Sequence, residues 1–242
     1  MTNAEASQGA RKRWGMVIDQ DRCIGCWTCA VACKEENNQP EGVWWNHILT
    51  VGGDEIDTPS GEWPNLEMSY QPINCFHCEN APCVRVCPVG ATYQRDDGIV
   101  MMDYDRCIGC RYCMVACPYS VRVFNWQEPK QTPANDDSYH VGSKAPRQKG
   151  VVEKCDFCYH RVDEGLQPFC IEVCPARARV FGDLNDPDSD VSEIIRTKPT
   201  ERIREDLGTE PAVYYVKPRG AGLAREPQAI DPERRHLEST EG

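Results

Sequence analysis

Residues 21–33 read DRCIGCWTCAVAC and residues 105–117 read DRCIGCRYCMVAC, agreeing at ten of thirteen positions, 84 residues apart. A match of that kind is an internal repeat. Outward from these two stretches, the 16 cysteines of the 242-residue chain fall into four groups of four, with none left over. Cys23, Cys26, Cys29 and Cys33 are spaced C-x2-C-x2-C-x3-C, and Cys107, Cys110, Cys113 and Cys117 repeat that spacing. Cys75, Cys78, Cys83 and Cys87 follow C-x2-C-x4-C-x3-C, and Cys155, Cys158, Cys170 and Cys174 follow C-x2-C-x11-C-x3-C. Pro88, Pro118 and Pro175 each follow the last cysteine of a group, whereas Lys34 stands there in the first.

The spacing selects the chemistry. A disulfide framework suits a small secreted chain, and these cysteines stand too close together for many well-formed bridges. Zinc takes C-x2-C pairs separated by a longer loop, whereas here three thiols within seven residues wrap one centre. Covalent haem needs C-x-x-C-H, but Trp27, Glu79, Arg111 and Tyr159 follow the second cysteines. Four [4Fe-4S] clusters remain: three thiolates on a tight loop reach three irons of a cube, and the fourth cysteine, ending in C-P, reaches the neighbouring cube. Gly25 and Gly109 fit a loop that needs close backbone approach and N–H groups aimed at sulfur.

Chain distance argues which groups serve each other. Cys87 and Cys107 are joined by a short segment in which Asp97-Gly98 predicts a hairpin turn. Residues 67–126 therefore read as one ferredoxin-like unit, inserted into a second made of residues 14–66 and 127–216, with an extended tail over 217–242. The expected fold is α+β: two nested ferredoxin-like domains with loop insertions. The first cluster then takes Cys23, Cys26, Cys29 and Cys174, and the second Cys155, Cys158, Cys170 and Cys33. The third takes Cys75, Cys78, Cys83 and Cys117, and the fourth Cys107, Cys110, Cys113 and Cys87. Pairing in sequence order, group one with two and three with four, stays open.

Composition sets the remaining bounds. Hydrophobic residues make up 40% of the chain, about a third once cysteines are set aside, so something other than apolar side chains must fill the interior. A net charge of −11 without a basic stripe argues against nucleic acid as a partner. No apolar run is long enough to span a bilayer, and MTNAEASQGARKRWG lacks the apolar segment of a secretion signal. Residues 51–65 and 128–150 are polar and turn-rich, predicting surface loops or subunit-contacting excursions. Trp44 and Trp45 are expected in the core or at an interface, and His77 and His160 in structural roles, since each group already has four thiols. Arg22, Arg106, Arg111 and Lys154 flank ligating cysteines, where positive charge would raise a cluster's potential; exposed, solvated positions are the equal alternative. No nucleophile triad, phosphate loop or dinucleotide fingerprint is present, so no catalytic residue is expected.

Taken together, MVIDQDRCIGCWTCAVACKEEN (16–37), NCFHCENAPCVRVCPVGA (74–91), YDRCIGCRYCMVACPY (104–119) and KCDFCYHR (154–161) with CIEVCPARARVFGDLNDPDS (170–189) resemble a known family. It comprises the four-cluster electron-transfer subunits of the molybdopterin oxidoreductases, the dimethyl sulfoxide reductase superfamily. FGDLNDPDS and GTEPAVYY (208–215) look most like the polysulfide/thiosulfate reductase branch. The resemblance implies a relay for anaerobic respiration, placed between a large subunit carrying a molybdenum or tungsten bis-pterin centre and, in many relatives, a membrane anchor exchanging electrons with quinone. It implies that the cluster on Cys23, Cys26 and Cys29 faces the catalytic subunit and that on Cys107, Cys110 and Cys113 lies at the far end. Some relatives carry tryptophan in place of the third group's middle ligand; Cys110 keeps four cubane clusters here. Relatives of this kind work in membrane-associated complexes or soluble heteromers, in the cytoplasm or exported with the catalytic partner. A free-standing polyferredoxin is the alternative.

Overall fold

The computed structural model describes residues 11–52, 57–129 and 147–218. Most of the polar stretch 128–150 and nearly all of the expected tail lie outside those residues.

Strand β1 (Trp14–Asp19) leads into the first cysteine group and helix α1 (Thr28–Glu36). Then come β2 (His47–Val51), the small hairpin β3 (Ser60–Glu62) and β4 (Asn65–Glu67), and β5 (Ser69–Ile73), antiparallel to β2. Within the expected loop over 51–65, residues 60–65 belong to this hairpin and residues 53–56 lie outside the described residues. Short helix α2 (Pro82–Arg85) precedes β6 (Thr92–Gln94) and β7 (Val100–Met102), the antiparallel hairpin that Asp97-Gly98 predicts. After α3 (Tyr112–Val115), β8 (Val123–Phe124) pairs with β9 (Val152–Glu153). Helices α4 (Tyr159–Val162) and α5 (Phe169–Glu172) flank the fourth group, followed by β10 (Arg179–Asp183), α6 (Asp190–Thr197), β11 (Thr200–Glu201) and β12 (Val213–Val216).

The one four-stranded sheet among the described residues runs β10-β1-β12-β11, with β1 antiparallel to β10 and parallel to β12. Strand alternation gives it two apolar faces. Val17, Val180 and Val216 meet Val191, Ile194 and Ile195 of α6, whose i, i+3, i+4 spacing makes one helix face apolar. Ser189 caps that helix, its hydroxyl accepting from the Ser192 N–H at 3.3 Å. Met16, Ile18, Phe181, Val213 and Tyr215 point the other way, into a core shared with Cys29, Cys33, Cys75, Cys78, Cys83, Cys113, Cys155 and Cys170. The FGDLNDPDS and GTEPAVYY stretches build this sheet and its helix cap.

One helix differs from its counterparts, and the cause is local. In groups two, three and four the short helix ends two residues before the Cys-Pro pair, because the residue before proline is pushed out of the helical region. Lys34 imposes no such stop, so α1 runs through Cys33 to Glu36. Its ammonium donates to the carbonyls of Pro40 (2.6 Å) and Val43 (3.0 Å), fastening the following loop.

Candidate iron–sulfur sites

All sixteen thiols are free of disulfides, and only Cys26 and Cys110 are exposed. Cys23, Cys26, Cys29 and Cys174 line one small cavity, and Cys75, Cys78, Cys83 and Cys117 line another. Cys33 lies beside Cys158, because the Asn37 amide donates to both sulfurs at 3.7 Å, and beside Cys170, whose thiolate acts on it. Cys113 is within electrostatic reach of Cys107. Cys87 takes the Thr92 N–H at 3.4 Å.

Local backbone explains how these loops turn. In every group the residue just before the second cysteine is left-handed: Gly25 (φ 68°), His77 (φ 43°), Gly109 (φ 67°) and Phe157 (φ 56°). Glycine adopts that conformation freely, but His77 and Phe157 do so at a cost that surrounding packing must offset. Their rings stack on each other, centroids 3.7 Å apart, and fill the seam between groups two and four. His77 Nδ1 also accepts the Val100 N–H at 3.0 Å; burial, then the charges of Lys154, Arg13 and Arg122, hold the ring well below the usual histidine range, so it stays neutral. His160 ties α4 to α1 through Glu36, Nε2 to Oε1 2.8 Å. Both histidines therefore have the structural roles expected of them.

Electrostatics divide the thiols. Burial pushes Cys33 and Cys155 well above the ordinary thiol range and Cys78 up to about 12, the Cys75 thiolate adding to the latter. Such groups are protonated at neutral pH, so metal ligation must expel their protons. At the surface, the Thr28 hydroxyl, 3.3 Å from Cys26 Sγ, donates to the thiolate form and holds the Cys26 thiol low. Burial raises Cys87, but the N–H groups of Thr92, Val89 and Ala91 outweigh it and leave the thiol lowered. N–H groups also meet Cys174, from Ala178 at 3.3 Å, and Cys33, from the Gln39 amide at 3.2 Å.

This donor set fits a polynuclear cluster better than a single ion. Among the described residues no three Cys, His, Asp or Glu side chains gather closely enough for one ion. Instead two sets of four cysteines each surround a cavity that a buried arginine also lines. Arg122 lines the cavity of Cys75, Cys78, Cys83 and Cys117, and its Nη2 has no hydrogen-bond partner in the protein.

Three of the four flanking charges take the exposed alternative. Arg22 is exposed, Arg106 pairs with Asp103 at 3.2 Å on the surface, and Arg111 lies over the rings of Phe124 and Trp126. Only Lys154 is buried, donating to the carbonyls of Val100 and Cys155. Arg122 and Arg179, both buried among cysteines, went unnoticed in the sequence, although CPYSVRV and CPARARV place them identically, five residues after the last cysteine of a group. The tryptophan pair splits: Trp45 is fully buried, its Nε1 donating to Glu153 at 3.3 Å, while Trp44 lies edge-on to Trp27, the neighbour of Cys26.

Comparison with known proteins identifies the arrangement. Two family models, each described as a 4Fe-4S dicluster domain, match residues 22–91 and residues 66–133 with 139–184. A protein of Halobacterium salinarum assigned as a dimethyl sulfoxide reductase iron–sulfur subunit is 57% identical over 209 residues, 84% of this chain and 78% of that one. The B component of selenate reductase from Mesobacillus selenatarsenatis is 43% identical, over 84% of this chain and 72% of its own. The B component of polysulfide reductase from Wolinella succinogenes is 38% identical, over 88% and 98%. Two dicluster domains and sixteen free thiols account for the [4Fe-4S] clusters. The chain belongs to the iron–sulfur electron-transfer subunits of the molybdopterin oxidoreductases.

Proposed function

We propose that the chain is a linear four-site relay whose ends are the surfaces around Cys26 and Cys110. The observation that carries this is the succession of thiols that act on one another across site boundaries. Cys170 is raised by burial and by the nearby Cys29 thiolate, Cys155 by burial and by Cys33 and Cys75, and Cys113 by burial and by Cys83. With Cys23, Cys26, Cys29 and Cys174 as the first ligand set, Cys155, Cys158, Cys170 and Cys33 as the second, Cys75, Cys78, Cys83 and Cys117 as the third, and Cys107, Cys110, Cys113 and Cys87 as the fourth, those contacts run one-two, two-three and three-four. Bound clusters supply one-electron storage; the residues hold them in order and keep water from the two inner sets.

The same ligand sets favour nesting of the unit 67–126 within 14–66 and 127–216. In support, β5 enters paired with β2 of the outer segment and β8 leaves paired with β9. Exposed apolar side chains accompany both exposed cysteines along the chain: Ile24, Trp27 and Val31 with Cys26, and Ile108, Tyr112 and Val115 with Cys110. The first surface is the docking face for the large molybdopterin catalytic subunit. The second faces the next redox partner, a quinone-linked membrane anchor being the reading favoured by the polysulfide reductase relative. Among the described residues no helix is long and apolar enough to cross a membrane, so the anchor would be another chain. The named relatives point to a catalytic partner acting on a small oxidised sulfur or selenium compound.

Affinity purification of the chain from its native host tests this: co-elution with a large molybdenum- or tungsten-containing subunit is expected. A stable monomer that exchanges electrons with several soluble enzymes would establish the polyferredoxin reading instead. Cys174→Ser should alter the same paramagnetic signal as Cys26→Ser; coincidence of Cys26→Ser with Cys87→Ser would establish pairing in sequence order.

A further inference from the structure

Arg122 and Arg179 are 2% and 3% exposed, and among the described residues neither has a carboxylate partner within salt-bridge distance. A buried guanidinium without an anion is expensive, so a negative charge must lie close by. The neutral contacts are modest. Arg122 Nη1 donates to Thr92 Oγ1 at 3.3 Å and to Met102 Sδ at 3.2 Å, while Nη2 has no protein acceptor. Arg179 Nη2 donates to Asn46 Oδ1 at 2.9 Å and Nη1 to Asn74 Oδ1 at 3.3 Å.

What surrounds both is sulfur. Arg122 lines the cavity of Cys75, Cys78, Cys83 and Cys117, and its charge also acts on Cys113 of the next set. Arg179 lines the cavity of Cys23, Cys26, Cys29 and Cys174, and its charge also acts on Cys170 of the next set. Each guanidinium therefore reaches two ligand sets. The equivalent positions in groups one and two hold Asn38 and Thr92, so each proposed unit contains one such charge.

We propose that Arg122 and Arg179 are the potential-setting residues of the relay, each a permanent positive charge shared by the two ligand sets of one ferredoxin-like unit. This rests on the ligand sets proposed above. An added electron increases the negative charge on either side of the guanidinium, so the cation stabilises the reduced form of both neighbours and raises both potentials. The repulsion between two electrons held in one unit, which separates the two reductions as in any coupled pair, is left unchanged, because a fixed charge acts on both alike. The effect needs no proton, because arginine stays charged throughout.

The test is a redox titration of the assembled complex followed by electron paramagnetic resonance, with iron and sulfide counted, on Arg122→Gln, Arg179→Gln and the two Arg→Lys variants. With a full iron complement, Arg122→Gln should shift the reduced-to-oxidised ratio of the third and fourth sites about tenfold toward oxidised at fixed potential, about 59 mV for one electron. The first and second should move much less; Arg179→Gln should do the converse, and lysine should recover most of each shift. Unchanged midpoints in fully loaded glutamine variants overturn the proposal. If glutamine prevents cluster assembly, the lysine variants decide: midpoints within about threefold of the native ratio support it, and a tenfold fall with charge retained overturns it. A shift that links one site from each unit supports the role of the charge while overturning the ligand pairing.

Discussion

Replacing Gly109 with alanine should destabilise the protein more than replacing Gly25, although both occupy the same place in the DRCIGC repeat. Both lie at nearly the same left-handed φ, 67° and 68°, so alanine costs roughly 1–2 kcal/mol at either. Their surroundings differ. A Cβ on Gly25 comes within 2.5 Å of the Tyr70 ring, the far end of a half-buried side chain that can swing away. A Cβ on Gly109 falls well inside 3.0 Å of the Gly150 carbonyl oxygen, which is backbone. That backbone is fixed: the Gly150 N–H donates to Asn125 O at 2.8 Å, and the Asn125 amide holds Gln148 O at 2.9 Å. Forcing such an overlap adds about 1–3 kcal/mol. At about 2–4 °C per kcal/mol for a domain of this size, Gly109→Ala should unfold about 2–12 °C below Gly25→Ala. Thermal scans of both holoproteins at one scan rate measure it. Equal midpoints, or the reverse order, with full iron in both would refute the assignment of the extra cost to the Gly150 carbonyl.

Three further outcomes are expected. Gln39 donates to Cys33 Sγ at 3.2 Å and accepts the Trp45 N–H at 3.0 Å; a hydrogen bond to a charged group is worth about 1.5–3 kcal/mol, and if about a third of it is gained on reduction, Gln39→Leu lowers that site's midpoint by roughly 20–40 mV in a potentiometric titration. Lys34→Pro, which copies the Cys-Pro ending of the other groups, should cost about 3 kcal/mol, because here the helix continues past that residue; Lys34→Ala, measured beside it in thermal scans, isolates the loss of the two ammonium contacts. Removing iron with a chelator should abolish near-ultraviolet circular dichroism and not merely activity, since cysteines make up much of the buried core; an apoprotein that keeps its native near-ultraviolet spectrum would contradict this.

Residue pattern alone established the class of site, from cysteine spacing, together with the repeat, the hairpin at Asp97-Gly98 and, from composition, the need for something non-apolar in the core, because each follows from short-range geometry or from counting. Lys34 was visible as a departure from Cys-Pro, but its second role, fastening the loop after the helix, depends on the carbonyls of Pro40 and Val43 that receive its ammonium. The flanking charges show the limit most clearly. Sequence adjacency singled out Arg22, Arg106 and Arg111, which turn to solvent or to aromatic rings, and passed over Arg122 and Arg179. Adjacency along a strand or tight loop says nothing about which side faces inward, whereas charge acts through space. Likewise two of the four left-handed turns were legible as glycine, while His77 and Phe157 were not. Their strain is supported by a ring stack between residues 80 positions apart, a contact that exists only once the groups have folded together.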